Sequence, residues 1–325
     1  MTDGRRGWRV ALAVALVMPA ALARAQSEPS AAAAADAPAQ AEAVPYSRGG
    51  ADTCLFCHRS APSVVAIFET PHAVPGDVHG PFGPGQLQCE ACHGPGGRHA
   101  GLVRPNQPRP AVIRFTPDSA TPKAEQNAMC LGCHADDTAI GWDGGAHAAN
   151  DVGCADCHRV HAGQDPVLTP ATESEVCYGC HRNERAAMQR AFRHPLFAGG
   201  MSCSSCHSVH DSAGEHALAR FTINDTCFQC HAEKRGPFLW EHAPAAEDCT
   251  ICHAPHGSNQ PGMLVQRAPF LCQSCHSQSA HPSLAQTTAG LPEAAASVFL
   301  LGQSCLNCHR AVHGSNHPSG ARLMR

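Results

Sequence analysis

Apolar positions are sparse and irregular along this chain. No stretch alternates apolar and polar residues as a half-buried strand does, so strands are not predicted. Helical spacing shows briefly at 63–69 (SVVAIFE), 184–193 (ERAAMQRAFR) and 293–301 (EAAASVFLL). Elsewhere 29 Gly and 26 Pro punctuate the chain into loops. One longer apolar run, VALAVALVMPAALA (10–23), follows Arg5, Arg6 and Arg9 and leads to small residues at Ala23 and Ala25. It is short for a membrane span and interrupted by Pro19, and it reads as a secretory signal peptide over 1–25. An Ala/Pro-rich leader, 26–50, is predicted to be disordered because it has little to bury. The first cysteine is Cys54, so a lipid anchor at the new N-terminus is not expected.

Composition sharpens this picture. The hydrophobic fraction is 43%, but much of it is Ala and Cys, and aromatics are only 5%. Ala buries little area, so something other than side chains must supply much of the core. The net charge of −4 and the lack of a long basic run give no sign of nucleic-acid binding.

The 20 cysteines are all used in ten copies of C-x-x-C-H. These are Cys54/Cys57 with His58, Cys89/Cys92 with His93, Cys130/Cys133 with His134, Cys154/Cys157 with His158 and Cys177/Cys180 with His181. The others are Cys203/Cys206 with His207, Cys227/Cys230 with His231, Cys249/Cys252 with His253, Cys272/Cys275 with His276 and Cys305/Cys308 with His309. Each fits covalent haem c attachment. Thiols three residues apart lie on one side of a helical turn and can add to two vinyl groups, with the next histidine beneath the ring as proximal iron ligand. Zinc sites, redox dithiols and disulfide scaffolds also use such cysteines, but none explains a histidine after every second one. Ten haem c groups are therefore predicted. After cleavage the chain would have 300 residues for ten haems, too little to wrap each porphyrin alone. The haems must contact one another and serve as the core.

Motif starts at 130, 177, 227 and 272 are 47, 50 and 45 residues apart, and those at 154, 203 and 249 are 49 and 46 apart. The chain thus repeats in two-haem units, each with a loop histidine between its motifs and a trailing histidine after them. The loop set is His72, His147, His194, His242 and His281; the trailing set is His99, His161, His210, His256 and His313. Together they give one distal ligand per haem, leaving His79, His216 and His317 as surface residues. His79 competes with His72, and His317 with His313. A trailing histidine such as His161 cannot cross the ring held by His158, because residues three apart on a turn are only about 5–6 Å apart at Cβ. It must serve another haem. A loop histidine can fold back over the first haem of its own unit. Ligation by two histidines leaves no open iron position and lowers the potential relative to Met/His haems. That suits an electron carrier and disfavours a multihaem nitrite or hydroxylamine reductase, which keeps one site open.

The segments QCEACHGPGGRH (88–99), NDTCFQCHAEKRGPFLWEHAP (224–244), CTICHAPHGS (249–258) and CLNCHRAVHGSNHPSG (305–320) resemble the decahaem cytochromes of the MtrA/DmsE type, a group that includes MtoA- and PioA-like proteins. The resemblance spans roughly 50–325 and favours His72 over His79 within FETPHA. It implies a periplasmic carrier inserted into an outer-membrane β-barrel porin, relaying electrons between periplasm and exterior in metal reduction or iron(II) oxidation. Periplasmic or inner-membrane cytochromes, and an outer-surface multihaem cytochrome, are the implied partners. The DmsE branch implies the alternative, a donor to a terminal reductase such as dimethyl sulfoxide reductase. The expected fold is elongated and mostly irregular, with short helices, little or no β structure and stacked haems as its core. Pentahaem halves are expected at 51–190 and 191–325.

Overall fold

A computed structural model of the chain describes residues 43–135, 139, 141–196, 200–210, 215–276, 305–307 and 309–324. The expected signal segment and residues 26–42 of the leader lie outside these, as do the helix expected at 293–301, His281 and Cys308. Val44–Arg325 forms one structural unit.

Among the described residues there are short helices and isolated β-bridges but no strand. The first motif of each unit lies on or closes an α-helix: Ala51–His58, Lys123–His134, Pro170–Tyr178, Ile223–Cys227 and Ala268–Gln273. The second motif begins a single turn: Cys89–His93, Cys154–Cys157, Cys203–Ser205, Cys249–Ile251 and Cys305–Asn307. Local chemistry sets the starts. Pro170 opens its helix at a position where no N–H is needed. Thr222 caps Ile223–Cys227 by accepting from the Asp225 N–H at 3.0 Å.

Helical spacing at 63–69 becomes an α-turn, Pro62–Val65, that tightens into a 3₁₀ turn, Ala66–Glu69. Thr70 ends it in an extended conformation before Pro71, as a residue preceding proline prefers. The helix expected at 184–193 is shorter, Arg182–Ala187. Its downstream residues are drawn away by a distant loop. Phe192 and Ser258 exchange main-chain hydrogen bonds at 2.9 and 2.8 Å, and the Arg190 guanidinium donates to the Gly257 carbonyl at 3.0 Å.

Within each unit the two motif-bearing segments pack together. A buried polar side chain joins them in several units. Asn127 accepts from the Cys154 N–H at 3.0 Å, and Asn224 from the Cys249 N–H at 2.8 Å. Each of these asparagines precedes the first cysteine of its unit by three residues. Glu173 does the same for the Ser204 N–H at 2.8 Å. In the first unit the direction reverses: Gln88 accepts from the Ala51 N–H at 2.5 Å. A Cβ on Gly50, whose φ is 53°, would collide with that Gln88 amide, so both backbone sign and space call for glycine there. Apolar packing contributes less. The one cluster of large buried side chains among the described residues is Tyr178, Met188 and Leu196, flanked by Met201.

The end of the Ala/Pro-rich stretch is tied down. Buried Glu90, 4% exposed, accepts from the Ser47 N–H at 2.9 Å, the Ser47 hydroxyl at 2.7 Å and the Gly96 N–H at 2.6 Å. Burial alone would raise its pKa, but the hydrogen bonds from Ser47 and Gly96 together outweigh it and hold the carboxyl below the usual range. A depressed folded-state pKa gives stability that is fully present above the ordinary carboxylate range and is lost as pH falls through the folded value. Hydrogen-exchange protection at Ser47 and Gly96 is therefore expected to fall on acidification. Glu90→Gln should lower it at neutral pH by about tenfold, the equivalent of one weakened charge-assisted bond. Unchanged protection in the variant would show that Glu90 does not anchor this segment.

Candidate haem sites

Each motif is one helical turn closed by the histidine N–H donating to the carbonyl of the first cysteine. The bond is 2.9 Å for His158 to Cys154, 3.0 Å for His207 to Cys203 and 2.9 Å for His276 to Cys272. This turn places both thiols on one side and the imidazole directly after them. The first cysteines of the two motifs in a unit sit side by side. Cys54 neighbours Cys89, Cys130 neighbours Cys154, Cys177 neighbours Cys203, Cys227 neighbours Cys249 and Cys272 neighbours Cys305. Burial, then the neighbouring thiol of the same unit, pushes Cys89, Cys227 and Cys272 up to about 11. Between units, the second cysteine of one unit's second motif approaches both cysteines of the next unit's first motif. Cys133, Cys180, Cys230 and Cys275 add to the burial that raises Cys92, Cys157, Cys206 and Cys252, respectively. Sites therefore neighbour one another in sequence order, within a unit through their first cysteines and between units through the second cysteine of the earlier site.

Cys57, Cys133, Cys180, Cys230 and Cys275 are exposed, whereas the other described cysteines are partly buried. Each of the five is the second cysteine of a first motif. The first cysteine of that motif packs against the other motif of its unit, and the thiol three residues on lies beyond that contact. A thioether needs to reach only the edge of a porphyrin, so exposure of these five is compatible with attachment.

Glu173, Cys177 and Cys203 converge as three potential metal ligands. The carboxylate is already occupied by Ser204, and both thiols belong to motifs, so no separate metal site follows.

The histidines pair with ring centres about 6 Å apart, the ring planes ranging from parallel to nearly perpendicular. Four loop histidines meet a proximal histidine of the next unit: His72 with His134 (6.1 Å between ring centres), His147 with His181 (6.1 Å), His194 with His231 (6.4 Å) and His242 with His276 (6.1 Å). Four trailing histidines meet a proximal histidine of the preceding unit: His161 with His93 (6.2 Å), His210 with His158 (5.9 Å), His256 with His207 (6.0 Å) and His313 with His253 (6.0 Å). His99, in the first unit, faces His58 of its own unit at 6.3 Å. The idea that a loop histidine folds back over its own unit is thus corrected: His72 meets His134, because the loop runs forward to the following helix. His79 and His317 are exposed, and His216 serves through its main-chain carbonyl.

These separations fit an iron between each pair. Metal–imidazole bonds of about 2 Å on either side, with about 1 Å from each nitrogen to its ring centre, add to about 6 Å. The protonation also fits. His93 Nδ1 donates to the Ile113 carbonyl at 2.7 Å, His161 to Ser63 at 2.9 Å, His194 to Pro255 at 2.9 Å and His242 to Val312 at 2.9 Å. A carbonyl can only accept, so the proton is on Nδ1 and the Nε2 lone pair is left for metal. Burial, reinforced by the facing histidine, lowers the pKa of His72, His93, His210 and His256, and burial followed by Lys234 and then the facing His253 lowers that of His313; each shift favours the neutral, ligating form.

Two of the four unit junctions are clamped by a His-Gly-Ser sequence that cysteine and histidine counting passes over. Ser258 bridges Phe192 and Ser315 bridges Trp240; each partner lies two residues before a loop histidine. The intervening Gly257 and Gly314 have φ of 134° and 132°. A Cβ on Gly257 would strike the Ala187 carbonyl. The repeated HGS was the available signal.

Ten C-x-x-C-H motifs, nine of whose histidines face a second imidazole among the described residues, define a multihaem c-type cytochrome. Comparisons agree. A doubled CXXCH motif matches residues 194–236 and 242–281, and the model of the cytochrome c-type protein NrfB-like family matches 89–172. The chain is 44% identical over 283 residues to the multiheme cytochrome MtrA of Shewanella baltica, covering 86% of this chain and 83% of that one. It is 29% identical over 125 residues to the cytochrome c-type protein NrfB of Escherichia coli, covering 30% and 65%. To the high-molecular-weight cytochrome c of Nitratidesulfovibrio vulgaris it is 25% identical over 197 residues, covering 59% and 32%. The chain belongs to the MtrA family of multihaem cytochromes. It is an electron-transfer protein with ten c-type haems as cofactors.

Gly257→Ala is expected to destabilise the haem-loaded protein by about 1–3 kcal/mol, from left-handed strain and the carbonyl clash. Gly76→Ala, with nothing within 4 Å of the added methyl, should be close to neutral. Urea unfolding checks both; equal midpoints would remove the clamp from the account.

Proposed function

We propose that the protein is a periplasmic electron conduit that works inside an outer-membrane β-barrel porin, linking periplasmic or inner-membrane cytochromes to an external partner. The observation that carries this reading is the unbroken succession of neighbouring haem sites along the chain, with each described proximal histidine outside the last motif facing a second histidine. Haem supplies one-electron redox chemistry. The chain's own residues fix its thioethers, supply neutral imidazoles and hold the Nδ1 protons away from the metal. Each facing pair ligates one iron, and the tenth site takes His309 with His281. No iron keeps an open position, so substrate chemistry is not the role. No described helix is long and apolar enough to cross a membrane, so passage across one is assigned to a partner barrel.

Two measurements test this. His161→Ala should turn one haem high-spin, and it should be the haem on Cys89 and Cys92. Loss at Cys154 and Cys157 would overturn the cross-unit ligation. Sealed liposomes that enclose a reduced dye should pass electrons to an external ferric chelate only when the protein and its β-barrel partner are both present. If the pair fails and the protein instead supports dimethyl sulfoxide reductase turnover, the donor reading replaces the conduit.

A further inference from the structure

The second motif of every unit shows the same outer contact on its proximal histidine, with one substitution. His93 Nδ1 donates to the Ile113 carbonyl at 2.7 Å, His207 to His216 at 3.1 Å, His253 to Gly262 at 2.8 Å and His309 to Arg322 at 2.7 Å. His158 donates instead to the Asp165 carboxylate, at 2.8 Å. The repeat thus provides its own control: four neutral acceptors and one anion at equivalent places.

Asp165 is built into position. Its Oδ1 accepts from the Val167 N–H at 3.2 Å, capping the turn Pro166–Leu168, and its carbonyl accepts from the Thr169 hydroxyl at 3.1 Å. The side chains of His158 and Asp165 are 27% and 14% exposed, so water screens the contact only in part. On the far side of the same site, buried Trp142 lies 6.2 Å from the His210 ring. Other carboxylates near proximal histidines stand off. Glu184 is 3.9 Å from His181 and Glu233 is 3.8 Å from His231, beyond hydrogen-bond length, and both are well exposed.

A carboxylate acceptor draws the Nδ1 proton more strongly than an amide carbonyl does and makes Nε2 a stronger electron donor. A more basic axial ligand stabilises ferric over ferrous iron. We infer that Asp165 is a positioning residue that sets the haem on Cys154 and Cys157 at a lower potential than the haems at the four equivalent sites, placing one reluctant site in the fourth position of the wire. Reduction there takes up one electron, and no bond is made or broken. Electrons dwell on either side of that site and pass through it without settling. This rests on His158 being an axial ligand. If that assignment fails, replacing His158 will leave the low-spin haem count unchanged, which is distinct from failure of the inference.

The test is a potentiometric titration of the complete decahaem protein, followed by electron paramagnetic resonance. In Asp165→Asn, one haem equivalent should move out of the lowest-potential part of the curve to higher potential, with all ten haems present and low-spin. Asp165→Glu, which keeps the anion, should retain most of the wild-type curve. Identical curves for Asp165→Asn and wild type overturn the inference, as does a shift spread evenly over several haems. Should Asp165→Asn fail to load haem, the wild-type protein still decides. Near-infrared magnetic circular dichroism of the ferric form should show one haem in ten with an imidazolate-like charge-transfer band; ten equivalent bands refute it.

Discussion

Two imidazoles facing each other across about 6 Å are the constraint around which this protein is organised. The distance is set by metal–nitrogen bonding and not by side-chain packing. To meet it, the chain brings together residues as far apart as His93 and His161 or His253 and His313. Main-chain carbonyls then fix the rings by accepting their Nδ1 protons. The backbone gains its order from these contacts, from motif turns and from a few buried amides such as Asn127 and Asn224, since few large apolar side chains are buried among the described residues. This explains how a sequence with so many Gly and Pro residues holds a defined fold with little regular structure.

The ligand pairs are also the ties between units. Within a unit, the motif turns lie against each other and their first cysteines touch. Across a junction, one histidine reaches forward and another reaches back. At the junctions spanned by His194 with His256 and by His242 with His313, the histidine-bearing strands of chain are further held by the Ser258 and Ser315 bridges. Contacts that cross the expected midpoint, such as Arg190 to Gly257, are of this kind.

Much of the site was legible because its chemistry is stoichiometric. Twenty cysteines divide into ten motifs with none left over, and the histidine excess then separates into a loop set and a trailing set. The i,i+3 argument placed His161 on a different site from His158, and the structure sets it against His93. The partner itself was not legible, since it depends on where a loop travels in three dimensions. Exposure was not legible either: Cys57, Cys180 and Cys230 look like every other motif cysteine until the packing of first motif on second leaves them outside. Local composition also could not show that Arg190 and Phe192 leave their helix to meet Gly257 and Ser258. Asp165 was hidden for a related reason: one acid in a loop gains meaning only when its equivalents in the other units prove to be carbonyls.

The forward and backward reach of the histidines limits how such a chain can change in length. A two-motif unit inserted in the interior would receive a histidine from each neighbour and give one to each, so every pairing rule would be kept. A single motif would leave one histidine without a partner or one site without a histidine. His99, in the first of these units, pairs with His58 of its own unit and shows how a unit can complete a site without a preceding one. Proteins built on this plan can be expected to lengthen and shorten by duplication or loss of whole pairs, with only the terminal units needing to adapt.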